Sequence, residues 1–450
     1  MAIKHLNPHS PISRRTGNAL QLIAQEEIPK VDVQQRRYPN GLIAISEKVA
    51  GAASVSVGLW VRAGSQDEPK AKAGIAHFIE HTVFKGTAGK SMREIMRSME
   101  SRGGLLNAFT TKEHTCYYTW TRLGELQNAV EILFELAARP TFTDRDIERE
   151  KSVVIEEING LEDEPEELVF DLFEHEIFGE KSPLGKPIIG TSKSVASLQR
   201  KDLFRFHAQH YRPENLIVVV SGAQHHEQFF EAVGRSMKHL SKIARRRSAG
   251  STKAASRHRA KERVEMSRPG GQQAHVIFGR KAPGIHSAEY ASLNVLITAL
   301  GVGMSSRLSL RLREELALAY DASAFYSPFE REGTLGIYIA TAVENQVRAE
   351  REMRKLVHAL LRNPISASEL IRTKEQMIGG MVLSLESMTS RMMRVGQHAL
   401  YYDHYLPIEK ELEKVEVVTL KQVRRTAERW FGDERKLSLI SVLPSQEEAE

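Results

Sequence analysis

The strongest constraint on this chain is that its pattern runs twice. On either side of residues 241–264 the same kinds of element follow one another in the same order, which marks a duplicated unit rather than one long domain. In the first half, GLIAISEK and SVSVGLWVRAG alternate as strands do, and a helix is expected from about Gly74 to Phe84. SMREIMRSMESRG reads as a helix, LLNAFTTKEH and CYYTWTRL as a strand pair, and LQNAVEILFELAARP as another helix. A longer helix, DIEREKSVVIEEING, follows Thr143 and Asp144, both suited to cap it. In the second half AHVIFGRKAPG answers SVSVGLWVRAG, and SAEYASLNVLITALG answers the first helix. DASAFYSPF and TLGIYIATAV answer the strand pair, and SASELIRTKEQMIGGM answers the long helix almost position for position. The expected fold class is α+β: two homologous domains, each an antiparallel sheet with helices packed on it. The expected boundaries are a lead-in over 1–34, a first domain at 35–240, a basic linker at 241–264, a second domain at 265–442 and a tail at 443–450.

Composition narrows the class of function. No apolar run approaches the ~20 residues that span a bilayer. The single cysteine, Cys116, sits in an alternating stretch and reads as a buried thiol. The first thirty residues lack the apolar core of a secretory signal, so a cytoplasmic bacterial location is expected, with a mitochondrial matrix as the alternative. The net charge of +6 is uneven: residues 242–263 hold nine Lys/Arg and one Glu, so the remainder is slightly acidic. A basic linker, not a basic folded surface, sets the charge, and nucleic acid is not expected as a partner. The acidic run LEDEPEELVFDLFEHE (161–176) reads as a solvated helix face.

Within AGIAHFIEHTVFKGT, His77 and His81 are four apart and Glu80 is three from His77. On a helix, two imidazoles so spaced share one face and can hold one cation, with the carboxylate beside its water. This is the H-x-x-E-H order of the inverted zinc motif. A third ligand is expected from the long helix, where Glu150 and Glu157 lie two turns apart on one face. Glu157 is assigned as that ligand and Glu150 as the carboxylate that orients a ligand or the water. The competing reading makes these glutamates a charged surface with Arg145, Arg149 and Lys151. The second half argues against it. Asn294, Ile297 and Thr298 stand where His77, Glu80 and His81 stand, and Thr373 and Gly380 where Glu150 and Glu157 stand. A fold that needed those charges structurally would need them twice.

HFIEHTVFKGT (77–87), LLNAFTTKEHTCYY (105–118), EREKSVVIEE (148–157), PLGKPIIGT (183–191) and SSRLSLRLREELALAY (305–320), in this order, resemble the inverzincin family of pitrilysin, insulin-degrading enzyme and mitochondrial processing peptidase. The resemblance covers residues 35–240 and 265–440 and is nearest the short members that work as two-chain assemblies. It implies one zinc ion per chain on His77, His81 and Glu157, Glu80 as general base and Glu150 as the supporting carboxylate. It also implies a substrate strand pairing with Leu106, Asn107, Ala108 and Phe109. Arg313 and Tyr320 are implied to reach the substrate carbonyl from across a closed chamber. One departure stands out: the family's R-G-L-A-Y is here Leu316-Ala317-Leu318-Ala319-Tyr320, without the glycine. The implied activity is a metalloendopeptidase acting on extended or unfolded peptides, as a homodimer or with a related chain. The alternative is a non-catalytic scaffold or peptide-holding subunit of the same fold. A second alternative is a polyanion-binding protein that uses residues 242–263.

Overall fold

A computed structural model describes residues 31–240, 258–269 and 271–445. Most of the expected lead-in and linker lies outside the described residues, and so does most of the segment to which polyanion binding would fall. The first sheet is built from β1 (Val31–Arg37), β2 (Ile43–Val49), β3 (Ser54–Val61), β4 (Leu105–Thr110), β5 (Thr115–Arg122) and β6 (Leu216–Gly222). Their spatial order is β1-β2-β6-β3-β5-β4. The second sheet comprises β7 (Arg263–Arg268), β8 (Gln273–Pro283), β9 (Asp321–Pro328), β10 (Glu332–Ala342) and β11 (Ser438–Pro444), in the order β7-β11-β8-β10-β9. Without β1 the two orders coincide, strand for strand.

The expectation of purely antiparallel sheets needs correction. β2 pairs with β6, and β7 with β11, in parallel. The cause is connectivity: β6 and β11 return after long helical crossovers, the only kind of link that parallel neighbours permit. Strand limits also differ slightly from the expected boundaries, since β1 begins at Val31 and β11 runs to Pro444.

The helices of the first half, besides the short Ser192–Ala196, are α1 (Ile75–Val83), α2 (Met92–Glu100), α3 (Leu126–Ala138), α4 (Asp144–Glu162), α5 (Pro165–Phe178), α6 (Arg200–His210) and α7 (His226–Ser236). Those of the second are α8 (Tyr290–Gly301), α9 (Gln346–Arg362), α10 (Ala367–Ser384), α11 (Met388–Tyr402), α12 (Ile408–Glu416) and α13 (Leu420–Phe431). None of them is long and apolar enough to cross a membrane. The duplication extends to the caps. Thr143 accepts the Asp146 amide at the start of α4, and Ser366 accepts the Glu369 amide at the start of α10, each satisfying a free first-turn donor.

One face of each sheet is covered by helices of its own half. The other face is covered by a helix from the opposite half. On the first sheet, Ile43, Ile45, Trp60, Ile217 and Val219 meet Met392, Val395, Ala399 and Leu400 of α11. On the second, Ile277, Tyr338, Ala340, Ile440 and Val442 meet Val169, Phe173, Ile177 and Phe178 of α5. The acidic run over 161–176 is therefore not simply a solvated face. Its apolar residues seal the second sheet, and Glu174 pairs with the buried Lys112 at 3.0 Å. α11 approaches the first sheet closely: a Cβ on Gly396 would lie 2.3 Å from the Trp60 ring, and one on Gly58 2.3 Å from Met392 Sδ. Ionic contacts reinforce the apolar ones. Glu47, fully buried in β2, accepts from Arg394 at 3.0 Å and from Ser221 at 2.9 Å.

The segment bearing Arg313 and Tyr320 has its own geometry. Ser309–Glu315 is π-helical, a rare form that is frequent at functional sites. Ala317, the residue in the glycine's place, has φ 47°. The chain keeps the left-handed turn and accepts a strain of about 1–2 kcal/mol for a residue with a Cβ.

Two substitutions test this packing. Gly396→Ala should lower stability by about 1–3 kcal/mol through overpacking against Trp60, seen as a fall in the thermal midpoint. An unchanged midpoint would contradict the close approach. Ala317→Gly should raise stability by roughly 0.5–1 kcal/mol, the relieved strain less the added chain entropy, measured in the same way.

Candidate metal centre

α1 is amphipathic. Ile75, Ala76, Phe78, Ile79, Thr82 and Val83 are buried, which leaves His77, Glu80 and His81 on the opposite side, half-buried. Its start is fixed by two devices. Gly74 takes φ 91°, and a Cβ there would lie 2.4 Å from Ile189 O. Glu68 then accepts the Gly74 amide at 2.8 Å and the Ala76 amide at 2.9 Å, doing from a preceding loop what an N-cap side chain does. Burial pushes the Glu68 carboxyl up to about 8, against the pull of those amides.

α4 crosses α1 and brings its carboxylates to the imidazoles. Glu157 Oε1 is 3.8 Å from His77 Nε2, and Glu157 Oε2 is 3.5 Å from His81 Nε2. The two rings lie 4.6 Å apart, centroid to centroid. One donor atom from each of the three residues falls within 4.8 Å of the others. Ligand atoms ~2.0–2.2 Å from a tetrahedral zinc are roughly 3.3 Å apart, so small side-chain adjustments suffice and the residues present fit the ion. Glu157 is exposed, as is Glu156 on the same helix.

Glu150 is buried, with Oε2 3.4 Å from His81 Nδ1 and Oε1 2.8 Å from Lys85 Nζ. It thus stands behind the histidine, where a carboxylate selects the tautomer that leaves Nε2 free. Glu80 does not point at the same partners; its Oε2 accepts from the Thr110 hydroxyl at 2.5 Å. The centre carries three carboxylates, two imidazoles and one lysine, an arrangement that favours a dication. His77 Nδ1 is buried without a hydrogen-bond partner among the described residues. Burial, and then the charge of His81, pushes His77 down to about 4. Burial also opposes the charged form of His81, but Glu150, Glu157 and Glu80 outweigh it and raise this imidazole above its ordinary value. Burial raises Glu80, with the Thr110 hydrogen bond pulling the other way.

The remaining expected residues are placed differently. Leu106, Asn107, Ala108 and Phe109 lie on β4, which pairs with β5 alone and is the sheet's edge among the described residues. The Ala108 amide is taken by the Asn107 side chain at 2.8 Å, not by a neighbouring strand. Arg313 is half-exposed beside Glu314 at 3.6 Å, and Tyr320 is 77% exposed. Neither makes a hydrogen bond or ion pair with the α1–α4 cluster. In the second half Asn294 bonds back to Tyr290 O, and Thr373 and Gly380 lie on α10 with no ligand chemistry between them. Sequence reasoning missed Thr110, Glu68 and Lys85. Only Thr110 left a trace, since it follows Leu106 and Ala108 at the period of two that puts all three on the helix-facing side.

Comparison with known proteins agrees with this architecture. The family description "Insulinase (Peptidase family M16)" matches residues 43–192, and "Peptidase M16 inactive domain" matches 197–377. An uncharacterized zinc protease of Mycobacterium leprae is 35% identical over 86% of this chain and 87% of its own. Another, YmxG of Bacillus subtilis, is 33% identical over 90% and 98%. A protease from Helicobacter pylori superposes with a TM-score of 0.83 at 21% identity, over 92% of this chain and all of its own. A Pseudomonas fluorescens structure described as a peptidase M16 inactive domain gives 0.81 at 19%. With these matches spanning both halves, the chain belongs to the M16 (insulinase) family of peptidases, and its relatives carry the name zinc protease.

Proposed function

We propose that this protein is a zinc-dependent endopeptidase with one ion per chain, held by His77, His81 and Glu157. The observation that carries the reading is the convergence of three donor atoms from two helices within 4.8 Å, with a second carboxylate, Glu80, beside them that is not needed as a ligand. Glu150 holds His81 from behind, and Lys85 holds Glu150. When bound, the ion supplies Lewis acidity and brings the pKa of a water toward ~7. Glu80 takes the proton from the attacking water and passes it to the leaving amine, a role suited to a carboxyl raised by burial. The peptide lies along the open edge of β4 as an added strand, displacing the Asn107 side chain from the Ala108 amide. Main-chain pairing selects for extended or unfolded segments.

The exposure of Tyr320 and Arg313 supports a two-chain assembly in which these residues face the metal centre of the other chain, with Tyr320 donating to the developing oxyanion. A non-catalytic scaffold is the weaker reading, because the ligand set, the base and the supporting carboxylate all occupy one site.

Chelation should abolish peptide hydrolysis and zinc should restore it; hydrolysis by the metal-stripped protein would exclude the mechanism. Glu80→Gln should keep its zinc, by mass spectrometry, while turnover falls at least ~100-fold. Glu150→Ala should weaken zinc affinity about 10- to 100-fold, measured by competition with a chromogenic chelator. Mixing inactive Glu80→Gln with weakened Tyr320→Ala should restore hydrolysis, since mixed dimers hold one complete site. Failure to complement would place Tyr320 outside the partner's chemistry.

A further inference from the structure

The base and the substrate strand meet at one residue. Thr110 ends β4, and its hydroxyl donates to Glu80 Oε2 at 2.5 Å. A hydroxyl has one proton to give, and the Glu80 carboxylate at 2.5 Å takes it ahead of the Thr115 oxygen at 3.4 Å, whose own proton goes to Ala63 O at 3.1 Å. The contact therefore ties one carboxylate oxygen of Glu80 to the strand and leaves Oε1 outside that bond.

The turn that follows Thr110 is held from three sides. The next residues form the β4–β5 turn, where Thr111 accepts the His114 amide at 3.1 Å. Lys112 runs into α5, bonding Glu174 at 3.0 Å and also the carbonyl of Lys186. Glu113 accepts the Glu330 amide at 2.9 and 3.0 Å and the Tyr401 hydroxyl at 2.8 Å, both from the second half. The end of the edge strand is thus fixed to both halves, while its middle stays open.

We propose that Thr110 is the positioning residue of the general base: it holds Glu80 in the one rotamer from which Oε1 reaches the attacking water, and it does so from the strand along which the peptide pairs. This rests on the peptidase reading above. The role is geometric. Val has the size of Thr but no proton to donate, so Thr110→Val frees both oxygens of Glu80 and lets the side chain swing. A misplacement of about 1 Å costs on the order of 100-fold in rate.

The test compares Thr110→Val, Thr110→Ser and Thr110→Ala in the zinc-loaded full-length protein. The Val and Ala variants should lose roughly 10- to 100-fold in kcat with KM within about twofold, and zinc content and thermal midpoint should match the parent. Ser should restore most of the rate. In the Glu80→Gln background, Thr110→Val should cost nothing further, because the two residues act as a unit. A crystal structure of Thr110→Val should show the Glu80 carboxylate displaced. Parental kcat in the Val variant, an equal loss in the Glu80→Gln background, or an unmoved Glu80 would each overturn the proposal. A parent without chelator-sensitive hydrolysis would instead defeat the peptidase reading, and the position of Glu80 in the Val crystal would still decide the contact.

Discussion

Everything in this molecule depends on a reciprocal burial. Each half makes a sheet with two apolar faces but supplies helices for only one of them. The other face of the first sheet is closed by α11 and that of the second by α5. Burying Met392, Val395 and Leu400 alone is worth at most about 5–9 kcal/mol. The exchange is mutual, so loss of either helix bares a sheet in the opposite half. The buried charges follow the same logic. Glu47 on β2 is neutralised by Arg394 of α11, and removing one partner would leave an uncompensated charge in the interior.

That exchange also sets the candidate metal centre in place. α1 sits on the first sheet, and α4 crosses it immediately before the chain departs as α5 for the second sheet. The carboxylates of α4 therefore come from the segment that leads into the exchanged helix. The β4–β5 turn is gripped by both halves through Lys112 and Glu113. The α1–α4 cluster stands beside a turn held by both halves, while Arg313 and Tyr320 stand on the open surface. Rigidity under the ligands and accessibility at the edge strand come from the same architecture.

Much of this was legible in the residues. His77, Glu80 and His81 announce themselves by helical spacing, and Glu157 by its own helix. Their replacement by Asn294, Ile297, Thr298 and Gly380 at matching positions of the repeat separates function from structure. What spacing cannot show is a contact made across the fold. Thr110 meets Glu80 from thirty residues away, and Glu68 reaches over a turn to cap α1; neither belongs to a periodic pattern that names its partner. Periodicity likewise shows that α5 and α11 have apolar faces, but not that each face belongs to the other half. The parallel pairs β2–β6 and β7–β11 are hidden for the same reason: a strand's pattern records its burial, not the direction of its neighbour. Ala317 is the reverse case. A missing glycine raised the question of whether the turn survived, and the backbone keeps it regardless.

The exchanged helix has a consequence for how the chain comes off the ribosome. All six strands of the first sheet have been made once Gly222 emerges, yet the helix that seals its outer face ends only at Tyr402. Roughly 180 further residues must be translated first, which at bacterial and eukaryotic elongation speeds takes about ten to forty seconds. Through that interval Ile43, Ile45, Trp60, Ile217 and Val219 form a bare apolar platform on a nascent chain, long enough for a chaperone to bind it and for two neighbouring nascent chains to stick together.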